Sequence, residues 1–241
     1  MLQNSFKKGV AHGLPIGIGY LSVSFAFGIF AVQCGLSPLE ALLISMTNLT
    51  SAGQLAGVPI IAMGGSFIEL AATELIINSR YALMSVSLSQ KLDARVTFAE
   101  RMLIAFGNTD EIFAVSMGNE GKIGKRYFYG LMLAPWLGWS SGTIIGAFAG
   151  AALPEIITAS LSVAIYAMLV AVVVPKIKED KYCAVCVLWA VVLSCVFNFA
   201  PFLKNFSQAY GGFVIIICAV AVGAVMALIH PVEEEETANE C

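Results

Sequence analysis

Residues 39–63 read LEALLISMTNLTSAGQLAGVPIIAM, a stretch apolar at both ends and interrupted in the middle by Thr47-Asn48-Leu49-Thr50-Ser51-Ala52-Gly53-Gln54. About 20 residues of helix cross a hydrocarbon layer, so the stretch is long enough to span. Its centre nevertheless abandons the apolar character that a span keeps. A second stretch, MLIAFGNTDEIFAVSM at 102–117, is shorter and carries Gly107-Asn108-Thr109-Asp110-Glu111 at its centre. Non-helical backbone is tolerated at membrane depth only where it is buried in protein or lines a wet cavity. How these two stretches fold determines how often the chain crosses and where its function sits.

The bilayer is the solvent for the rest of the chain. Of 241 residues, 59% are hydrophobic and 12% charged, against about 25% charged in a soluble domain, and the mean hydropathy is +0.85. Too few polar side chains remain to make a water-facing skin. Further apolar stretches lie at 14–33, 67–90, 127–153, 155–175, 182–202 and 210–230. None alternates with a period of two, and LMLAPWLGWSSGTIIGAFAGAAL at 131–153 is small or apolar on every face, so the segments are helices rather than barrel strands. The fold class is an all-α polytopic membrane protein with about six to eight membrane segments. Residues 1–230 form one integral membrane domain, and 231–241, with Glu233 to Glu236, form an acidic solvated tail. The acidic residues of that tail outweigh the net charge of −3, so the rest of the chain is close to neutral.

The basic residues orient the segments, because Lys and Arg are retained in cytoplasmic loops. Lys7 and Lys8 precede the first segment, Lys91, Arg95 and Arg101 follow the third, Lys122, Lys125 and Arg126 follow the fourth, and Lys176, Lys178 and Lys181 follow the sixth. Eight simple crossings would deliver the second cluster to the outer face. The pattern is satisfied if 39–63 and 102–117 are broken or re-entrant, the first dipping from outside and the second from inside. Both termini are then cytoplasmic. Two breaks entered from opposite faces resemble the site of an inverted-repeat transporter.

Ionisable groups inside such segments cost about 2.5–3.5 kcal/mol each on insertion scales, so each needs a partner or water. Glu69 lies near a segment end, where its carboxylate reaches interfacial water. Glu74 is deeper, with Asn78 four residues on and so on the same helical face. Arg80 lies too deep to snorkel easily and is expected to pair with Asp110 or Glu111. Such a pair either fixes helix register or, beside a broken helix whose N-terminus attracts anions, helps to hold a zwitterion. Gly138, Gly142, Gly146 and Gly150 form a four-residue ladder of close helix packing. Trp136, Trp139 and Trp189 are read as interface or packing residues, and the six cysteines as small apolar fillers with no metal site. Neither His12 nor His230 is placed for a central relay. The initial apolar run is too long for a signal peptide. No basic patch with interleaved aromatics supports nucleic-acid binding. No Walker motif, GxSxG elbow or HExxH is present, no catalytic set can be assembled, and no cofactor is implied.

Several of these segments together resemble the AzlC family, the large subunit of bacterial two-component branched-chain amino acid exporters. The resemblance rests on Gly13-Leu14-Pro15-Ile16, Ser24-Phe25-Ala26-Phe27-Gly28, Leu36-Ser37-Pro38-Leu39-Glu40-Ala41, Ser51-Ala52-Gly53-Gln54, Asn78-Ser79-Arg80-Tyr81 and, most specifically, Ala105-Phe106-Gly107-Asn108-Thr109-Asp110-Glu111-Ile112-Phe113-Ala114. It covers about the first 150 residues. Two departures stand out. The family's Ala-Gly-Ala-Ser-Gln-Phe break is permuted here to Thr50-Ser51-Ala52-Gly53-Gln54-Leu55, and its Arg-His is Arg80-Tyr81, so no proton role of that histidine carries over.

The resemblance implies a proton-coupled secondary exporter of valine, leucine, isoleucine or methionine in the bacterial inner membrane, working with a small AzlD-like membrane subunit. Ser51, Gly53, Gln54, Asn78 and Arg80 are then the substrate-binding residues, and Asp110, Glu111 and Glu74 those that carry the proton or meet the ammonium. A passive channel with the same two segments as filter, or a non-transporting membrane scaffold, are the alternatives.

Overall fold

Each interrupted stretch folds as two half-helices joined at its polar centre. Asn48-Leu49-Thr50 separates α2 (Pro38–Thr47) from α3 (Ser51–Ala62), and Gly107-Asn108-Thr109 separates α5 (Phe98–Phe106) from α6 (Asp110–Gly118). Around them stand α1 (Phe6–Gln33), α4 (Phe67–Lys91), α7 (Lys125–Ala152), α8 (Lys181–Phe199) and α9 (Gly211–Ile229). The computed structural model describes residues 5–152, 170, 174, 177–178, 181–200, 203, 206 and 211–229. Most of the expected segment 155–175 and the boundary between the domain 1–230 and the tail 231–241 lie outside them. Among the described residues there is no strand beyond an isolated bridge, Leu92 to Ile123. Phe6–Gln33, Lys125–Gly150 and Lys181–Phe199 are long and apolar enough to cross a membrane. The 25-residue α4 is also long enough but carries Glu69, Glu74 and Arg80.

The centre of the fold is the pair α1 and α7, which lie in backbone contact. A Cβ on Gly17 would stand 2.6 Å from the Ala134 carbonyl oxygen, and one on Gly28 2.7 Å from the Ala147 nitrogen. From the other side, a Cβ on Gly138, Gly142 or Gly146 would fall on the backbone of Gly17, Leu21 or Phe25. Only glycine permits this approach, as the ladder implies. The contacts climb together along both helices, from Gly9 against Tyr127 to Gly28 against Thr143, so α1 and α7 run parallel. Their N-termini, with Lys7, Lys8, Lys125 and Arg126, therefore share one end of the bundle.

The other elements are ordered by that end. α4 finishes there, since Asp93 N–H donates to the Ile123 carbonyl and Ile123 N–H to that of Lys91, both at 2.9 Å. The α5–α6 hairpin starts and finishes there too: Glu100 pairs with Lys125 at 2.5 Å, and the Met117 carbonyl accepts from Lys91 Nζ at 3.3 Å. The α2–α3 hairpin starts and finishes at the opposite end, where Ala41 and Val58 pack with Phe27, Ala31 and Leu36. Both broken segments thus return to the end from which they enter, and only α4 makes the full traverse between α1 and α7. A long helix followed by two half-helices therefore occurs twice with opposite direction. The starts are offset by about 60 residues, Phe6 to Phe67, Pro38 to Phe98 and Ser51 to Asp110.

Two local expectations are corrected. α1 begins at Phe6 rather than near 14, because Ser5 caps it by accepting from Lys8 N–H at 3.2 Å, and Lys7, Lys8 and His12 are helical. Glu69 does not reach out to water: it is 5% exposed, in the first turn of α4 and folded toward Gly65. The positive end of the helix offsets part of its burial there.

Candidate functional site

The two hairpin tips face each other near the middle of the α1–α7 pair. Each tip starts its second half-helix with a threonine cap: Thr50 Oγ1 accepts from Gly53 N–H at 3.2 Å and Thr109 Oγ1 from Ile112 N–H at 3.4 Å. A side-chain oxygen there satisfies an amide that the helix cannot, which lets the chain restart a helix deep in the fold. Between the tips lies a cavity of about 440 Å³, within the size range of small-molecule pockets, about 300–1,000 Å³. Leu49, Ser51 and Ala52 line it from one hairpin, and Thr109, Asp110 and Glu111 from the other. Ile16, Tyr20 and Val23 of α1, Ile77, Arg80 and Tyr81 of α4, and Trp139 of α7 complete the wall.

Arg80 and Asp110 form an ion pair at 2.6 Å, each side chain about one third exposed to the cavity (35% and 37%). The Arg80 guanidinium also donates to the Tyr81 hydroxyl at 3.2 Å and stands 4.9 Å from the centre of its ring. Of the two acids that could have met Arg80, Glu111 is taken by another partner. Its Oε2 accepts from Tyr20 hydroxyl at 2.5 Å, while the Tyr20 oxygen lies 2.8 Å from Thr109 Oγ1. The phenol has one proton, so with Glu111 ionised it donates to the carboxylate and accepts from the threonine. The wall therefore holds one neutralised acid–base pair and one carboxylate whose bonded donor, among the described residues, is a phenol.

Behind the cavity lies a brace. Trp139, 3% exposed, donates its indole N–H to Gln54 Oε1 at 3.0 Å and stands edge-on to Tyr20, ring centres 5.3 Å apart. Gln54, 1% exposed, donates in turn to the Ile44 carbonyl at 3.4 Å and to that of Asn48. The first hairpin is thereby tied to α7 through Trp139, and the second to α1 through Tyr20.

Ser51, Arg80, Asp110 and Glu111, singled out from the sequence, all line the cavity. Gly53, Gln54, Asn78 and Glu74 do not. Gly53 and Gly57 open the face of α3 to the Glu74 carboxylate, which would stand 2.5 Å and 3.0 Å from a Cβ on each. Asn78 donates to Glu74 Oε2 at 2.7 Å. Gln54 points into protein because its amide matches both the indole N–H and the carbonyls of Ile44 and Asn48 at the break of its own hairpin. Tyr20 carries no mark in the sequence, and Tyr81, Thr109 and Trp139 were visible there without being marked as site residues. The threonine was findable as a cap before Asp110, whereas an aromatic inside an apolar run carries no local mark of a polar partner. Trp139, read as packing, is also a wall residue. Among the described residues no group of three or more His, Cys, Asp or Glu side chains could hold a metal.

The family model described as AzlC protein matches residues 15–153, a range that contains α2 to α7, about the last two thirds of α1, and every residue of the cavity wall. The chain is similar to the inner membrane protein YgaZ of Escherichia coli (strain K12), 34% identical over 153 residues that make up 62% of each chain. It is 31% identical over 175 residues to an uncharacterized membrane protein of Archaeoglobus fulgidus, covering 72% of this chain and 76% of that one. With the branched-chain amino acid transport protein AzlC of Bacillus subtilis (strain 168) it shares 26% identity over 151 residues, 61% of this chain and 58% of the relative. The matched region thus spans less than two thirds of the length of the first and third of these relatives. No solved structure matches the chain.

Proposed function

The chain belongs to the AzlC family, and from that premise we propose that it is a secondary active exporter of branched-chain or other hydrophobic amino acids, among them valine, leucine, isoleucine and methionine. It is coupled to protons and works with a small AzlD-like membrane subunit in the bacterial inner membrane, with both termini cytoplasmic. It is a transporter and not an enzyme. The observation that carries this reading is the cavity itself, a compartment between two oppositely entering hairpins with the Arg80–Asp110 pair and Glu111 in one wall and Ile16, Val23, Leu49 and Ile77 in the rest. A zwitterion with an apolar side chain matches that division. Its ammonium meets Asp110 or Glu111, and its carboxylate meets Arg80 and the open amides at the start of α3, where Ser51 and Ala52 line the cavity and no acid stands in the first turn.

In this mechanism substrate competes with the internal partners. A carboxylate that takes Arg80 releases Asp110, and protonation of Glu111 releases the Tyr20 bond that ties the second hairpin to α1. The first event loosens the second hairpin from α4 and the second loosens it from α1, which is how binding is coupled to alternating exposure of the cavity. Gly53, Gln54, Asn78 and Glu74 act from behind, Glu74 as a further carboxylate able to take a proton against the α3 glycines.

The experiment is efflux of preloaded labelled valine, leucine and methionine from cells expressing the chain with and without its small partner, with and without a protonophore. Partner-dependent efflux that collapses with the proton gradient is expected, as is its loss in Arg80→Gln, Asp110→Asn and Glu111→Gln at unchanged membrane abundance. Partner-dependent equilibration that ignores the protonophore would make the same cavity a passive channel. Retained export in all three variants would sink the proposed roles.

A further inference from the structure

The end of the bundle that holds the N-termini of α1 and α7 gathers more positive charge than its internal contacts use. Three of its cations are engaged by the negative ends of helices, as the helix dipole favours. Lys122 Nζ donates to the Gln90 carbonyl at 2.6 Å, Arg101 Nη1 to that of Ser89 at 3.3 Å, and Lys91 Nζ to that of Met117 at 3.3 Å. Lys125 is held by Glu100 at 2.5 Å. The side chains of Arg95 and Arg126 have no hydrogen-bond or ion-pair partner among the described residues, and both are exposed.

These two arginines share a cavity of about 250 Å³ with Asp93, Val96, Gly124 and Lys125. Its one acid is already engaged, since Asp93 Oδ1 accepts from Arg95 N–H at 2.9 Å. α7 starts at this cavity with Lys125 and Arg126 in its first turn and no acid, and α1 starts at the same end with Lys7 and Lys8 and no acid. Cations at the positive ends of two long parallel helices repel that end, and an anion seated among them relieves it. Below Arg126, on the same face of α7, Leu133 and Leu137 are exposed at 37% and 51%. An exposed apolar strip thus lies two turns beyond the cavity along the same helix, toward the bilayer interior.

We propose that the Arg95–Arg126 cavity binds the phosphate of an anionic phospholipid, whose acyl chains lie along the exposed leucines of α7. Lipid rather than free phosphate is the occupant because exposed leucines follow the charged cavity along the same face of α7, within reach of an acyl chain, and basic pockets between membrane helices select such headgroups. The site is remote from the hairpin cavity and stands or falls without the transport reading.

The test is lipid binding by the full chain in neutral detergent, with bound phosphatidylglycerol and phosphatidylcholine counted by native mass spectrometry. Phosphatidylglycerol is expected to bind about tenfold or more tightly than phosphatidylcholine. The double variant Arg95→Gln/Arg126→Gln should lose about tenfold or more of that affinity. Arg95→Lys/Arg126→Lys, which preserves charge and guards against misfolding, should keep most of it. Lys178→Gln/Lys181→Gln, which removes two charges elsewhere, should leave it unchanged. Equal losses in the two glutamine variants would reduce the effect to diffuse surface charge and overturn the site. So would equal binding of phosphatidylcholine, or displacement of phosphatidylglycerol by inorganic phosphate at matching concentration.

Discussion

Replacing Gln54 by alanine should destabilise the protein by roughly 2–5 kcal/mol, because it strands groups that the fold has already dried. Gln54 is 1% exposed and Trp139 3%. The substitution leaves the indole N–H without its 3.0 Å acceptor and the Asn48 carbonyl without its side-chain donor, whereas the Ile44 carbonyl keeps the Asn48 N–H at 2.8 Å. A buried polar group left unpaired costs about 1–3 kcal/mol, and the lost side-chain volume adds to that. A double-mutant cycle isolates the indole part. In Trp139→Phe the N–H is already gone, so Gln54→Ala should cost about 1–2 kcal/mol less there than in the parent. Unfolding of the full chain in detergent reads all four proteins. Costs that add within about 0.5 kcal/mol would refute the brace. Unchanged unfolding with a loss of substrate affinity would return Gln54 to the cavity wall.

Three further outcomes are expected. Gly142→Ala should cost about 1–3 kcal/mol or more by forcing a methyl onto Leu21 backbone and Ser24, while Gly19→Ala, with nothing within 4 Å, should be nearly neutral; equal unfolding midpoints would remove the close contact of α1 with α7. Tyr20→Phe deletes the donor to Glu111 and the contact to Thr109. At unchanged abundance it should alter the pH profile of efflux, and a profile identical to the parent's would exclude the phenol from coupling. Finally, the Lys125 ammonium beside Glu100 holds that carboxyl below the usual carboxylate range. Its stabilising contribution is therefore present above the unfolded value of about 4.3 and lost as pH falls through the lower folded one. Glu100→Gln should flatten this acid limb in a pH series of unfolding, and an unaltered limb would show that the pair contributes nothing.

Much of the site was legible because burial in lipid makes polar residues conspicuous. Thr47 to Gln54 and Gly107 to Glu111 stood out against apolar surroundings, and Arg80 demanded an acid at a depth where the broken segment carried two without a countercharge of their own. The pairing with Asp110 meets that demand. Tyr20 and Trp139 were hidden for the converse reason. Aromatics are at home in an apolar run, and their single polar atoms announce no partner until another helix supplies it. Gln54 was visible as a polar residue, but its sequence position does not say whether an amide faces a cavity or the carbonyls of its own hairpin.

The sequence by itself determined the membrane class, the places where two segments break, and the set of charges that need company, because each follows from the local cost of putting a residue into hydrocarbon. Tertiary structure alone decided that Arg80 takes Asp110 while Glu111 takes Tyr20, and that Gln54 supports the wall rather than forming it. Those choices depend on which atoms are brought within 3 Å of one another. That is set by the parallel register of α1 on α7, where glycines let two backbones touch and so place Tyr20 and Trp139 side by side between the hairpin tips.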